Sequence, residues 1–211
     1  MKILLMGFGK VNKMIYEELN GKVVGIVSDS QENIEDIPDI IIDFSHPSSL
    51  DKTIELTKKY NAKLIVGTTG YNNEKTAQIK DLSNYTSVLK SENFSKGISI
   101  IKKILTNNIN DLDTYRKTII ERHNLYKKDA PSGTAIALGE IIQTSNIISF
   151  RENDIIGEHS IIFENDNEKI IIIHEALNRK LFIKSVLNCT TWLLKQKPGL
   201  YALEDVIDEQ L

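Results

Sequence analysis

The 211-residue chain is poor in cysteine (one), proline (four) and tryptophan (one), and only 7% of it is aromatic. A lone Cys189 excludes any disulfide within the chain and fits a reducing cytoplasm. An excess of charge of one sign is also missing. The 26 basic and 29 acidic residues leave a formal charge of −3, without the basic surplus by which nucleic-acid binders displace counterions from phosphates. Apolar runs such as Ile170 to Ile173 fall far short of the roughly 20 residues that cross a bilayer as a helix. Met1 to Met6 begins like an export leader, but Gly7 and Lys10 interrupt the apolar stretch early, and the segment reads as a strand. A chain of this length buries about 70% of its unfolded surface, so neither a disulfide nor a metal is needed for folding, and no metal site is expected. The expectation is a cytosolic globule acting on a small molecule, with no nucleic-acid or membrane partner.

Short apolar runs alternate with helical periods through the first half. Ile3 to Met6, Val23 to Val27, Ile40 to Phe44, Lys63 to Gly67 and Thr86 to Lys90 read as strands. Val11 to Leu19, Pro47 to Tyr60 and Glu74 to Leu82 read as helices. Strands separated by helices of this length predict right-handed crossovers and a parallel sheet. The pattern changes after Asn93. Lys96 to Asn108 reads as a long helix, Thr118 to Arg122 as a strand and Ala135 to Gln143 as a helix. Ile161 to Phe163 and Ile170 to His174 follow as antiparallel strands joined by the polar Glu164 to Glu168 turn, and Lys180 to Leu194 is helical. The predicted fold class is α/β: a Rossmann-like parallel sheet followed by an α+β domain with a mixed sheet. Residues 1–93 with 193–211 form the expected dinucleotide-binding domain. Residues 94–192 form the expected second domain, and the tail after Pro198 is expected to pack back on the first domain.

The first strand runs into Gly7-Phe8-Gly9-Lys10-Val11-Asn12. The dinucleotide fingerprint has glycines at the first, third and sixth positions of such a turn. They allow a sharp bend, a close approach of backbone N–H groups to a pyrophosphate, and tight helix–strand packing. Here the sixth position is Asn12, so the packing must accommodate a side chain. Asp29 follows the second strand, 20 residues past Gly9. A carboxylate there accepts hydrogen bonds from ribose hydroxyls and repels a 2′-phosphate, which favours NADH over NADPH. Lys10 and Lys22 remain alternative phosphate ligands.

The densest chemistry lies in Glu121-Arg122-His123-Asn124-Leu125-Tyr126-Lys127-Lys128-Asp129-Ala130-Pro131-Ser132-Gly133-Thr134-Ala135. Ser132, Gly133 and Thr134 open a helix, where hydroxyls, backbone N–H groups and the helix dipole favour a carboxylate. His123 titrates near neutrality and can transfer a proton, while Lys127 can pair with a carboxylate or act as an acid. Together they predict an anionic small substrate that is protonated as it is reduced. His159 and His174 are expected to be structural, and Cys189 to be inert core.

This segment resembles the E-x-H-H-x-x-K-x-D-A-P-S-G-T-A signature of the 4-hydroxy-tetrahydrodipicolinate (dihydrodipicolinate) reductase family of lysine and diaminopimelate synthesis. Asp43-Phe44-Ser45 resembles the family's D-F-T/S, Gly67-Thr68-Thr69-Gly70-Tyr71 its G-T-T-G-F/Y loop, and Ser91-Glu92-Asn93-Phe94-Ser95 its N-F-S hinge. Gly157-Glu158-His159 resembles its G-E-H, and Gly199 to Val206 its C-terminal G-x-Y-x-x-x-D-V. The resemblance implies NADH or NADPH as cofactor and a cyclic imine dicarboxylate as substrate. His123 would transfer a proton, and Lys127 would donate a second proton or bind substrate. Asn124, Ser132, Gly133 and Thr134 would hold substrate. Phe44, Ser45, Gly67, Thr68, Thr69, Ser91, Asn93 and Phe94 would join Gly7, Gly9, Lys10, Val11, Asn12 and Asp29 on the cofactor. It also implies a homotetramer, with residues 94–192 as the substrate-binding and oligomerisation domain. Asn124 stands where the family has its second histidine; an amide can hydrogen-bond a carboxylate but carries no positive charge. His46 stands where the family has an arginine. Two other readings are a related amino-acid dehydrogenase and a dinucleotide-binding protein that has lost efficient chemistry. Intact His123 and Lys127 weigh against the second.

Overall fold

The computed structural model describes residues 1–19, 21–153 and 155–208. The chain forms two compact units, Met1–Phe94 with Phe182–Leu211, and Ser95–Leu181.

The first unit is built on seven strands: β1 (Ile3–Met6), β2 (Val23–Ser28), β3 (Gln31–Ile34), β4 (Ile40–Asp43), β5 (Lys63–Val66), β6 (Ser87–Lys90) and, from the end of the chain, β11 (Gly199–Tyr201). Their order is β11-β6-β5-β4-β1-β2-β3, all parallel except β3, which runs antiparallel to β2. Helices α1 (Lys10–Glu18), α2 (Leu50–Tyr60) and α3 (Asn73–Leu82) are the crossovers. Every residue of β1 and β4 is buried, as continuous apolar strands must be when helices cover both faces of a sheet. One core collects Ile3, Leu5, Ile15, Ile40 and Ile42; the other collects Leu4, Met6, Ile41, Leu56, Leu64 and Ile79. Alternate β1 residues therefore face opposite cores, as strand period requires. The chain order reverses at β1, which pairs with β2 on one side and β4 on the other. The carboxyl end of β1 is thus the switch point where open α/β sheets bind ligands.

The second unit contains α4 (Lys96–Asn108), β7 (Arg116–His123), α5 (Gly133–Ile142), β8 (Ile147–Arg151), β9 (Glu158–Glu164) and β10 (Lys169–Glu175). Its sheet has the order β10-β9-β7-β8, with β7 and β8 parallel and β9 antiparallel to both its neighbours. Ile119, Ile161 and Phe163 face a core shared with Leu105 of α4 and Leu138 and Ile142 of α5.

The chain then enters α6 (Lys180–Leu193) and ends in α7 (Leu203–Asp208). Ile183, Val186, Cys189, Trp192 and Leu193 of α6 lie in the same core as Ile3 and Leu5. This moves the return to the first unit forward to Phe182 from the expected residue 193. The helix buries its apolar stripe there, and a boundary at its far end would leave that stripe unpartnered. Phe94 also belongs to the first unit. Three strands escaped the pattern. β3 is an exposed polar edge, β8 has only five residues, and β11 has three. The tail after Pro198 does pair with β6 through β11. Among the described residues no helix is long and apolar enough to cross a membrane.

Candidate active site

At the end of β1 the chain turns through Gly7, whose φ of +81° lies where only glycine sits without strain. A Cβ there would meet Ser45 at 2.9 Å. Gly9 then caps the N-terminus of α1. Gly7, Gly9, Asp29, Phe44 and Ser45 line one cleft of about 670 Å³, together with Glu32, His46, Ser48 and Lys52. Lys10 and Val11 stand outside that lining: Lys10 is exposed on the first turn of α1, and Val11 packs against the core. Asn12 is fully buried and turned inward, its Nδ2 donating to the carbonyls of Met6 (2.7 Å) and Gly7 (2.9 Å). The side chain that replaces the third glycine thus braces the turn from below.

The cleft floor is organised by Asp43, a buried carboxylate at the end of β4. One oxygen accepts from the Ser45 backbone N–H (2.9 Å), the Ser45 hydroxyl (2.5 Å) and the Thr68 hydroxyl (2.8 Å); the other accepts from Thr53 (2.8 Å). Thr68 also accepts from the Ser45 N–H at 2.9 Å. The loops after β4 and β5 are thereby tied together. Gly67 completes the tie, because any Cβ at that position would come within 2.0 Å of the Phe44 ring. The Phe44 ring packs in turn against Phe94, centroids 5.3 Å apart. The Ser91 hydroxyl donates to the Asn93 carbonyl at 2.7 Å, closing the bend before Phe94. Thr69 is exposed beside this cluster in sequence. A positive-φ glycine at the switch point, an acidic residue after β2 and a ring-covered glycine after β5 suit a nicotinamide dinucleotide. Gly7, Gly9, Asp29, Phe44 and Ser45 line the cleft that could hold it.

The second unit carries the residues expected to transfer a proton. Glu121 and His123 are two apart on β7 and so share one face. The Glu121 carboxylate, with no exposed surface, bonds His123 Nδ1 through Oε2. Its Oε1 accepts from Arg151 of β8 at 2.9 Å and from the Ser132 backbone N–H at 3.3 Å. Ser132 caps α5, its hydroxyl accepting from the Ala135 N–H at 3.2 Å, so Gly133 and Thr134 form the first turn of that helix. The Ser132 hydroxyl also bonds His159 Nε2 at 3.1 Å, and the His159 ring meets His123 edge to face, centroids 5.2 Å apart. The intervening loop is compact. Asn124 accepts the Tyr126 N–H (3.1 Å), and Lys127 Nζ pairs with Asp129 at 2.8 Å. Arg151 stitches the loop to the sheet by donating to the carbonyls of Lys127 (3.3 Å) and Asp129.

Burial works against ionisation of Glu121, yet hydrogen bonds from Arg151, Ser149 and His123 outweigh it and hold the carboxyl below its usual range. For His123, burial lowers the imidazole below its ordinary value despite the opposing pull of Glu121, and the Lys127 and Arg151 charges add to the lowering. His159 is pushed down to about 3, chiefly by burial. It is a neutral ring at physiological pH, in line with a structural part.

Through Glu121 the expected catalytic His123 is tied to the helix start that carries the expected substrate residues Ser132, Gly133 and Thr134, while Asn124, also expected to hold substrate, and Lys127 lie on the loop between them. Glu121 and Arg151 were not singled out in the sequence. Glu121 had a legible signal in its i, i+2 spacing from His123. Arg151 had none, since the strand that carries it was not recognised.

Comparison with known proteins identifies the family. Residues 1–94 match the family model described as dihydrodipicolinate reductase, N-terminus, and residues 97–207 match the model of its C-terminus. A 4-hydroxy-tetrahydrodipicolinate reductase of Thermosipho africanus is 36% identical over 214 residues, covering 99% of both chains. Another, from Buchnera aphidicola subsp. Cinara cedri, is 38% identical, over 80% of this chain and 71% of its own. The dipicolinate-bound dihydrodipicolinate reductase of Paenisporosarcina sp. TG-14 shares the fold, with a TM-score of 0.74 at 20% identity, covering 97% of this chain and 98% of that one. The chain belongs to the dihydrodipicolinate reductase family.

Proposed function

We propose that this protein reduces the cyclic imine formed from 4-hydroxy-tetrahydrodipicolinate to tetrahydrodipicolinate, using NAD(P)H, in lysine and diaminopimelate synthesis. The observation that carries the reading is the linkage, through the one buried carboxylate of Glu121, of the His123 imidazole to the N-terminus of α5.

A nicotinamide dinucleotide, when bound, supplies the hydride. The chain's own residues do the rest. As the imidazolium, His123 delivers the proton on Nε2, the ring nitrogen left over once Nδ1–H is engaged by Glu121, and becomes the neutral Nδ1–H tautomer. The first-turn N–H groups of Gly133 and Thr134 and the partial positive charge of the α5 N-terminus receive one substrate carboxylate. Asn124 supplies an amide where the family has a second histidine, so it contributes hydrogen bonding without charge. Lys127, held at the loop by Asp129, offers an ammonium to the second carboxylate or a proton to the ring.

For the cofactor, NADH is the preferred form. Asp29 and Glu32 both line the cleft, and the cleft's Lys52 is engaged by Glu32 (3.4 Å) and Glu55 (3.3 Å). A 2′-phosphate there would meet two carboxylates and a lysine already paired. The assembly is a homotetramer. The sheet face opposite α4 and α5 presents Ile148, Phe150, Ile171 and Ile173, between 42% and 61% exposed, an apolar surface of the kind that subunit contacts cover. The cytoplasm is the compartment, consistent with a buried Cys189 thiol pushed up to about 12 by burial and therefore unreactive.

The test is oxidation of NADH and NADPH by the purified protein, with the imine generated in place by its synthase. Turnover is expected with both cofactors, more efficiently with NADH. Failure to oxidise either one would overturn the assignment. Neither the amino-acid dehydrogenase nor the weakened dinucleotide binder is favoured by any of these observations.

A further inference from the structure

We propose that Glu121 is a positioning residue for the proton transfer: it fixes the His123 ring so that Nε2 is the working nitrogen, and it locks that ring to the start of α5. This inference rests on the reading of His123 as proton donor and deepens it.

The Glu121 carboxylate is buried and hydrogen-bonded. Its side chain has no exposed surface, and a buried carboxylate is tolerated only when charge and hydrogen bonds compensate it. Arg151 at 2.9 Å and the Ser132 N–H at 3.3 Å compensate it at Oε1, and the Ser149 hydroxyl adds a further hydrogen bond. Oε2 bonds His123 Nδ1. A carboxylate can only accept, so the neutral imidazole must carry its hydrogen on Nδ1 and present a lone pair at Nε2. Nε2 faces the Gly157 backbone, where a Cβ would stand 3.0 Å away. The ring is therefore oriented at both nitrogens, by a carboxylate on one side and a side-chain-free backbone on the other.

The same carboxylate governs charge. His123 is faced by Lys127 from the following loop, Arg151 from β8, the His159 ring from β9 and Glu121 from its own strand. Burial, Lys127 and Arg151 all disfavour the imidazolium, and Glu121 is the group that favours it. Arg151 keeps Glu121 ionised and so acts on His123 through it. Three segments meet at this one side chain: β7 through His123, β8 through Arg151, and the α5 cap through Ser132.

Two measurements decide the matter. In the wild-type protein, 15N NMR of the histidine rings, with His123 assigned by its loss in His123→Gln, should show the neutral ring as the Nδ1–H tautomer. An Nε2–H tautomer overturns the proposal. In Glu121→Gln, which keeps a side chain of similar shape without the charge, kcat/KM should fall at least about tenfold, a part of what a positioned acid–base group supplies. The descending limb of its pH profile should move to lower pH, because the group that favours imidazolium has gone. Glu121→Asp should recover part of the rate. A limb that stays in place, or a rate within about twofold of wild type, overturns the proposal. The tautomer decides alone if Glu121→Gln does not fold. It also decides if the wild type shows no turnover, a result that would sink the functional reading while leaving the Glu121–His123 bond open to direct measurement.

Discussion

Gly157 gives His123 its clearance: a Cβ on Gly157 would stand 3.0 Å from Nε2 and 3.2 Å from Cδ2 of the imidazole. That spacing is tighter than side chains normally accept, so the glycine of Gly-Glu-His leaves room around Nε2. Its carbonyl meanwhile accepts the Ala176 N–H at 2.9 Å, which holds the backbone in place.

Gly157→Ala should therefore displace the ring while leaving the fold intact. Misplacing a catalytic group by about 1 Å can cost up to about 100-fold, and a fall in kcat/KM of about tenfold or more is expected, with little change in Tm. Wild-type kinetics in this variant would show that the contact is without consequence.

Asn12 makes a prediction about stability. Its amide satisfies two carbonyls at the end of β1 from a fully buried position. Asn12→Ala leaves these acceptors without their donor, at a cost of about 1–3 kcal/mol. Urea denaturation should register that loss, and dinucleotide affinity should weaken because the Gly7 turn loses its brace. A change under about 0.5 kcal/mol, the usual scale for surface substitutions, would contradict the bracing role.

Buried histidines predict the acid side of the stability curve. His123, His159 and His174 are all lowered from their ordinary value, each chiefly by burial, and His159 falls to about 3. A lowered histidine takes up its proton more readily when the chain is unfolded. Its contribution is therefore complete above about pH 6.5 and drains away as pH falls toward the folded value. Unfolding free energy should decline from pH 7 to pH 4, and His159→Gln should flatten that slope. An unchanged slope in the variant would exclude His159 as a source of acid sensitivity.

Cofactor choice is tested at Asp29. Asp29→Ala should weaken NADH binding more than NADPH binding, since it removes both a ribose acceptor and a charge that repels the 2′-phosphate. An equal effect on both would clear Asp29 of a selecting role.

Much of this was legible in the residues. β1 and β4 are recognisable because buried parallel strands are continuous apolar runs, and Ile3 to Met6 and Ile40 to Ile42 are such runs. The α5 cap was legible because Ser132-Gly133-Thr134 carries its own capping chemistry. β3 was not, because Gln31–Ile34 has only one apolar residue, Ile34, and is recognisable as a strand chiefly by its pairing to β2. The placement of α6 depends on which core accepts Ile183, Val186 and Leu193, a tertiary choice that helical periodicity cannot express. Arg151 became visible only when β8 aligned it with His123 across the sheet. The inward turn of Asn12 likewise needed coordinates, because a sequence shows that a glycine is missing and not where its replacement points.

The central claim is that His123 delivers the proton. The most direct measurement is steady-state reduction of the enzymatically generated imine by His123→Ala, alongside its affinity for NADH. A loss in kcat/KM of about 100-fold or more with NADH affinity unchanged is predicted. Turnover equal to the wild type would contradict it.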